Sequence, residues 1–480
     1  MLDLFINSNL LGWAYTTIMI LYGLTTIGII LVVVSENRNP LKSLAWVTVL
    51  LLLPVVGIIL YIFFGRNIKN TRMISRRNRR KLKNRQRIPA IDVRSLNISQ
   101  SARQQILLGR SLTGAHYFDN NKVEIYTDGR SKFNALLHDL RNARKSINLQ
   151  YYIFDDDATG RMVRDILIER ARAGVAVRVV YDHVGSFSTR SRFFKEMRRE
   201  GIMAYPFFKV TFPQFGTRIN WRNHRKIVII DGHIGYIGGM NIADRYITGG
   251  KFPRWRDTHL RITGPAVAGL QFSFAIDWNF MGQPLIEDQV SLTLPPDGNV
   301  GMQIITAGPT SQWRNIALAF HKAIATATWR VYIQTPYFLP TEALLKTLQT
   351  ASLSHVDVRL MIPRNSDSHM LTLASASYID ECLKAGIKIY FYEAGMLHSK
   401  MIVIDDEIST VGSTNFDFRS FEHNFEINAF MYSTELNARL AAVFTNDQKQ
   451  STRILPAEWR RRPWYRKLAE SVIRLLSPIL

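Results

Sequence analysis

Two segments of this chain place histidine, lysine and aspartate at identical intervals. Residues 224 to 231 read HRKIVIID and residues 398 to 405 read HSKMIVID, each His-x-Lys-x-x-x-x-Asp. On a strand, side chains alternate between two faces, so His224 and Lys226 share one face and Asp231 takes the other. His398, Lys400 and Asp405 divide in the same way. Each copy is followed by a small-residue turn ending in an asparagine seventeen residues after its histidine, Asn241 in GYIGGMN and Asn415 in STVGSTN. One such histidine alone reads as a hydrogen-bonded core residue, but two with matched tails read as a duplicated half-site. Together they supply a nucleophile, a proton donor and fixed positive charge, which phosphodiester transfer without a metal requires.

The elements around the motifs alternate strand and helix in two similar series. The first half, residues 121 to 295, runs from VEIY through SINLQYYIF and VAVRVVYD to the first motif, with helices such as GRMVRDILIERARAG between. The second, residues 296 to 450, runs from QIITAG through RVYIQTPYF, VDVRLMIP and IKIYFY to the second motif. This density predicts an α/β fold in each half, a mixed sheet covered by helices. Glycines at the joints Ala173-Gly174 and Ala385-Gly386 are expected to stop helices.

The ends of the chain have a different composition. From Leu4 to Ser35 there is no charged residue, and a second uncharged run extends from Ser43 to Gly65. Both approach the ~20 residues that span a bilayer, so residues 1 to 65 are expected to form a transmembrane hairpin in which Pro54 and Gly57 are tolerated. A cleaved leader fits less well, because Asp3 stands where a basic stretch belongs. Residues 66 to 87 hold eleven Lys and Arg and no acid. Residues 66 to 120 are therefore expected as a basic juxtamembrane linker, with the large C-terminal part on the cytoplasmic side. The last segment, 451 to 480, interleaves Trp459, Trp464 and Tyr465 with basic residues. Six of its seven basic residues lie between 460 and 474, and it reads either as an interfacial amphipathic helix or as a basic helix packed on the domain.

The doubled motif in duplicated α/β halves resembles the phospholipase D superfamily. More narrowly, the apolar hairpin, the strands YYIF and TPYFLPT, and the ending FDFRSFEHNFEIN resemble its bacterial cardiolipin synthases. The resemblance implies a nucleophilic His224 forming a phosphatidyl-histidine, and a His398 that protonates the leaving glycerol and then deprotonates the incoming hydroxyl. It also implies phosphate contacts from Lys226, Lys400, Asn241 and Asn415. A nucleophilic imidazole needs an acceptor on its other nitrogen to hold one tautomer. Asp231 and Asp405, though part of the motif's catalytic set, lie on the wrong strand face for that. The expected partners are the downstream acids of the same halves, Asp257 for His224 and Glu426 for His398.

The implied activity is transfer of a phosphatidyl group between two phosphatidylglycerol molecules, giving cardiolipin and glycerol at a bacterial plasma membrane crossed more than once. A phospholipase D-type hydrolase and a membrane-tethered nuclease are the rival readings. Fifteen of the net +23 charges lie beside the predicted membrane segments, which leaves little for a nucleic-acid track, so the expected partners are anionic phospholipids. Assembly as a homo-oligomer is compatible with the sequence. No cofactor or metal is implied: Cys382 is the single cysteine, and FDDDATG at 154 to 160 reads as a helix cap. The metal-dependent CDP-alcohol motif D-G-x-x-A-R is absent. His183 and His259 read as core or supporting residues, and the aromatic and basic stretch from 205 to 222 as a mouth admitting lipid.

Overall fold

The computed structural model describes residues 2–35, 40–53, 55–61, 65, 72–86, 91–210, 220–286, 295, 298–475 and 477. It contains two compact bodies, Met1–Ile68 with Val210–Asn220, and Lys69–Lys209 with Trp221–Leu480.

In the first body, one helix covers Leu2–Ser35, and its stretch Gly12–Ser35 is the one described helix long and apolar enough to cross a bilayer. The second apolar run is not covered by a single described helix. It is divided between helices Pro40–Leu52 and Val56–Leu60, each shorter than the ~20 residues a bilayer requires. Val55 between them has a positive φ of 63°, and Pro54 lies outside the described residues. These pieces pack on the long helix. The Tyr22 hydroxyl donates to the Leu50 carbonyl at 3.2 Å, and Val33, Leu50 and Tyr61 are buried together. Gly57 is required there, since a Cβ would meet the Val49 carbonyl oxygen at 2.7 Å.

The second body carries both motifs. Its first half has strands β1 (Tyr117–Tyr126), β2 (Ser146–Tyr151), β3 (Ala176–Asp182), β4 (Met203–Phe207), β5 (Arg222–Asn223), β6 (Ile227–Ile230), β7 (Ile234–Gly238), β8 (Trp255–Arg256) and β9 (His259–Thr263). Its second has β10 (Val300–Ala307), β11 (Arg330–Gln334), β12 (Phe338–Leu339), β13 (Asp357–Pro363), β14 (Lys388–Tyr392), β15 (Met396–Leu397), β16 (Met401–Ile404), β17 (Ile408–Gly412), β18 (Phe416–Asp417), β19 (Asn424–Tyr432) and β20 (Ser451–Arg453). The parallel set β2-β3-β4 recurs as β11-β13-β14. The antiparallel set β2-β6-β7-β9-β1 recurs as β11-β16-β17-β19-β10. Strands β1 and β10 pair antiparallel, so the two mixed sheets merge into one of sixteen strands. Every residue of β6 and β16 is buried, which accounts for their unbroken apolar sequences IVII and MIVI. Gly174 and Gly386 end their helices with the same positive φ, 87°.

Part of the expected basic linker folds onto this body. Helices Arg76–Gln86 and Gln100–Thr113 lie within it. The second of them is capped by the Ser99 hydroxyl and buries Ala102 and Ile106 in the core of the second half. Its Gln105 amide donates to the Ala319 carbonyl at 3.1 Å. At the other end, helix Trp464–Arg474 packs one face inward, where Glu470 is buried against Arg462 and Arg474 pairs with Glu381. Its other face leaves Trp464, Tyr465, Leu468 and Val472 exposed.

Candidate active site

Each histidine stands at the junction of the two halves because its strand is hydrogen-bonded to the other half. Strand β5 pairs in parallel with the start of β19, and the backbone N–H of His224 donates to the Phe425 carbonyl at 2.9 Å. In the mirrored arrangement β15 pairs in parallel with β8, and the His398 N–H donates to the Arg256 carbonyl at 2.6 Å. The residue after each accepting carbonyl is an acid, Glu426 and Asp257. Both acids are fully buried.

The acids therefore serve the opposite histidines from those expected. Nδ1 of His224 lies 2.9 Å from Glu426 Oε1, and Nδ1 of His398 lies 2.6 Å from Asp257 Oδ2. Counting along the chain assigned each acid to its own half. The parallel bridges across the junction place it against the other half's imidazole. Either contact fixes a ring by Nδ1 and leaves Nε2 for chemistry. The remaining oxygens are also engaged. The Ser413 hydroxyl donates to Glu426 Oε2, and the Thr258 N–H donates to Asp257 Oδ1 at 2.7 Å. Gly239 occupies the position matching Ser413, and it must be glycine, since a Cβ there would sit 2.1 Å from Asp257 Oδ1.

The lysines lie beside the imidazoles. Lys226 donates to the carbonyl of His224, and Lys400 to that of His398. Lys400 Nζ also lies 2.8 Å from Nδ1 and 3.2 Å from Nε2 of the His398 ring. Burial, with Lys226 and Lys400 nearby, pulls the His224 imidazole below its ordinary value even though Glu426 acts the other way. Burial and Lys400 bring His398 down to about 4. Burial likewise lowers Lys226 well below the usual ammonium range and Lys400 to about 8. Burial opposes ionisation of Glu426, but His224 and Lys226 hold its carboxyl below the usual carboxylate range. Lys400 of one half acts electrostatically on both His224 and Lys226 of the other, lowering each.

The motif aspartates lie elsewhere, on the face that strand parity assigned. Asp231 accepts from the backbone N–H groups of Arg144, Lys145 and Ser146, and Asp405 from those of Thr328, Trp329 and Arg330. Both sit at positive φ, 52° and 46°, and begin the hairpin loops after β6 and β16. They fix how β2 and β11 enter the sheet; neither carboxylate reaches an imidazole. Asn241 accepts from the Ile153 N–H at 3.1 Å and donates to the Tyr246 hydroxyl at 2.6 Å, while Asn415 donates to Asp417 at 3.0 Å. Asp157 of the acidic triplet caps helix Ala158–Arg172. Among the described residues no cluster of His, Cys, Asp and Glu is arranged to hold a metal. His259 is fully buried in the core, and residues 211–219 of the expected lipid mouth lie outside the described residues.

The duplication is also found by comparison with known proteins. The family model described as cardiolipin synthase, phospholipase D-like domain, matches twice, over residues 136–254 and 320–448. The chain belongs to that family. The phospholipase D-nuclease N-terminal model matches residues 23–66. The chain is 40% identical to the major cardiolipin synthase of Bacillus subtilis over 463 residues, covering 94% of this chain and 96% of that protein. It is 40% identical to a cardiolipin synthase of Oceanobacillus iheyensis over 478 residues, covering 96% and 99%. The fold is similar to that of the crystallised phosphatidylserine synthase of Haemophilus influenzae, with a TM-score of 0.60 at 14% identity over 78% of this chain and all of that one.

In this member of the cardiolipin synthase family, a further layer of side chains supports the site, and the motifs did not disclose it. Arg225 donates to Asp277, which also accepts from Gln150 at 2.6 Å; Arg256 donates to Asp447, which accepts from Gln334 at 2.8 Å. The two sets match by half. Arg225 Nε donates to the Glu426 carbonyl at 3.2 Å and Arg256 Nη1 to the Asp257 carbonyl at 2.6 Å, so each guanidinium grips the backbone of a histidine-bound acid. The available signal was a lone acid in an apolar helix, Asp277 in VAGLQFSFAIDWNF, since a fully buried carboxylate requires a partner.

Proposed function

We propose that the chain is a cardiolipin synthase, a phosphatidyltransferase that joins two phosphatidylglycerol molecules and releases glycerol. The observation that carries the reading is the pair of imidazoles meeting at one buried centre, each held by an acid of the opposite half. His224 Nε2 attacks the donor phosphorus. The bond to the glycerol oxygen breaks, and His398 passes its proton to that oxygen. His398 then takes the proton of the terminal hydroxyl of a second phosphatidylglycerol as that oxygen displaces His224. Lys226 and Lys400 face the non-bridging oxygens, joined by the second amide N–H of Asn241 and of Asn415. The bound phosphodiester anion favours the imidazolium form that His398 needs as an acid, countering the burial that keeps it neutral in the empty site.

The apolar run of residues 40 to 65 joins the long helix in a membrane hairpin, and the basic residues after it keep the catalytic body on the cytoplasmic face of the bacterial plasma membrane. The reading is supported by the packing of Leu50 and Tyr61 on the long helix and by the charge of residues 66 to 87. The test is incubation of the purified protein with phosphatidylglycerol vesicles, measuring cardiolipin and free glycerol. Equal yields of the two are expected, and phosphatidic acid without cardiolipin would replace the synthase by a hydrolase.

The lysines set an alkaline limit. Lys400 titrates near 8 in the empty site, so it carries its charge below that pH and loses it above. kcat/KM, which reports free-enzyme ionisations, is expected to fall as pH rises through about 8. Lys400→Arg keeps the charge and should move this limb to higher pH. A limb that stays in place would assign it to another group.

A further inference from the structure

Helix Trp464–Arg474 divides its surface between two environments. On one face Glu470 is buried against Arg462, Ile473 packs on the core of the second half, and Arg474 pairs with Glu381. The opposite face carries Trp464, Leu468, Val472 and Leu475 at helical spacing, with Tyr465 beside them. These five side chains are between 53% and 79% exposed. A single exposed leucine needs no explanation, but five large apolar groups aligned on one helix face mark a surface made to be covered.

Charge decides what covers it. Arg460, Arg461, Arg466 and Lys467 are exposed beside the stripe, whereas the helix's one acid, Glu470, is turned inward. A second copy of this face would bring those like charges together. An anionic bilayer matches each component: Trp and Tyr suit the headgroup level, Leu and Val the acyl boundary, and Arg and Lys the lipid phosphates. The face also lies at the end of the fold that the chemistry occupies. Arg466 and Glu470 share a cleft with Thr372, Leu373 and Ala376, and Arg474 donates to Glu381 and to the Ser377 carbonyl. The helix thus runs alongside helix His369–Lys384 in the same direction. Trp464 and Tyr465 stand at the end of that helix which begins just after Asp367, whose charge acts on His398 and Lys400.

We propose that helix Trp464–Arg474 seats its exposed apolar face in the headgroup layer of an anionic bilayer and holds the catalytic body against the surface from which its lipid is drawn. The inference rests on the reading that the site takes its substrate from a membrane. It adds a contact within the catalytic body itself, separate from the long apolar helix Leu2–Ser35.

The test uses the full chain in phosphatidylglycerol vesicles, with Leu468→Cys carrying an environment-sensitive dye. Cys382 is buried and does not compete for the label. The emission should shift to the blue. Lipids bearing a nitroxide high on the acyl chain should quench it more than lipids bearing one near the chain end, because an interfacial helix sits only about 5–10 Å into the boundary. Vesicles of phosphatidylcholine, or Arg460→Gln, Arg461→Gln, Arg466→Gln and Lys467→Gln together, should remove most of the quenching. Leu468→Asp with Val472→Asp should cut cardiolipin yield from vesicles by about tenfold or more. The same variant should turn over monomeric dihexanoyl phosphatidylglycerol in detergent at the unmodified rate, which also shows that it folds. A blue-shifted dye that nitroxide lipids do not quench would mean that protein covers the face, a second copy or the chain's own apolar helices, and an unshifted dye that water does. Either result overturns the proposal. Absence of cardiolipin from both substrates with the unmodified chain would instead remove the synthase reading, and the quenching would still decide the helix.

Discussion

Protein carrying His224→Ala is expected to accumulate no covalent phosphatidyl adduct and to lose cardiolipin synthesis by about 10⁵-fold or more, the usual scale for removal of a nucleophile. His398→Ala should behave differently. It removes the proton donor of the first step and the base of the second, worth about 10²–10⁴-fold each. The nucleophile in that variant is intact, with Glu426 still at its Nδ1. Radiolabelled phosphatidylglycerol should therefore leave label on His398→Ala that survives denaturation and is released by acid, as a phosphorus–nitrogen bond is. Both rings occupy the same position in their half, so strand geometry does not rank them. Their environments do. Lys400 lies within 3.2 Å of both ring nitrogens of His398, whereas Lys226 is bonded to the His224 carbonyl and not to its ring. A ring nitrogen crowded by an ammonium is a poor nucleophile, while a proton passed between the two groups is an efficient acid. Label on His224→Ala and none on His398→Ala would reverse the roles.

The repeated spacing made the His224/Lys226 and His398/Lys400 pairs readable from sequence, and strand parity separated Asp231 and Asp405 from them. Both aspartates begin hairpin loops at positive φ and gather three backbone N–H groups each, a local task that the sequence pattern suits. The pairing of acids with histidines was not readable. It depends on two-residue parallel bridges, Arg222 and Asn223 on Asn424 and Phe425, and Trp255 and Arg256 on Met396 and Leu397. Bridges that short leave no periodicity, and Asp257 and Glu426 follow their chain neighbours at intervals that suit either partner. Helix Arg76–Gln86 escaped notice for a related reason. Its sequence RRNRRKLKNRQ offers only Leu82 as a buried apolar contact, so charge masked the element. The second apolar run shows the converse, because hydropathy measured its length but not the interruption at Val55.

The crossed acids separate the two steps experimentally. Glu426→Gln and Asp257→Asn each replace a carboxylate by a neutral amide of the same shape, leaving the imidazole free to take the wrong tautomer; in a comparable triad this costs about 10⁴-fold in kcat. With phosphatidylglycerol as donor, both variants should be nearly inactive. A phosphatidyl ester of p-nitrophenol changes the outcome, because that leaving group departs without a proton. In Asp257→Asn the impaired ring is His398, whose acid role the substrate bypasses, so the first-turnover burst of p-nitrophenolate should be close to that of the unmodified protein. In Glu426→Gln the impaired ring is the nucleophile, and the burst should slow by about 10³–10⁴-fold although Glu426 lies 202 residues from His224 in the chain. If each acid served the histidine of its own half, the pattern would be exchanged, with Asp257→Asn suppressing the burst. Matching thermal melting curves would exclude simple unfolding. Burial makes the contrast sharp: both carboxylates are shielded from solvent, so water does not substitute for the lost charge and the tautomer of each ring is set by the opposite half.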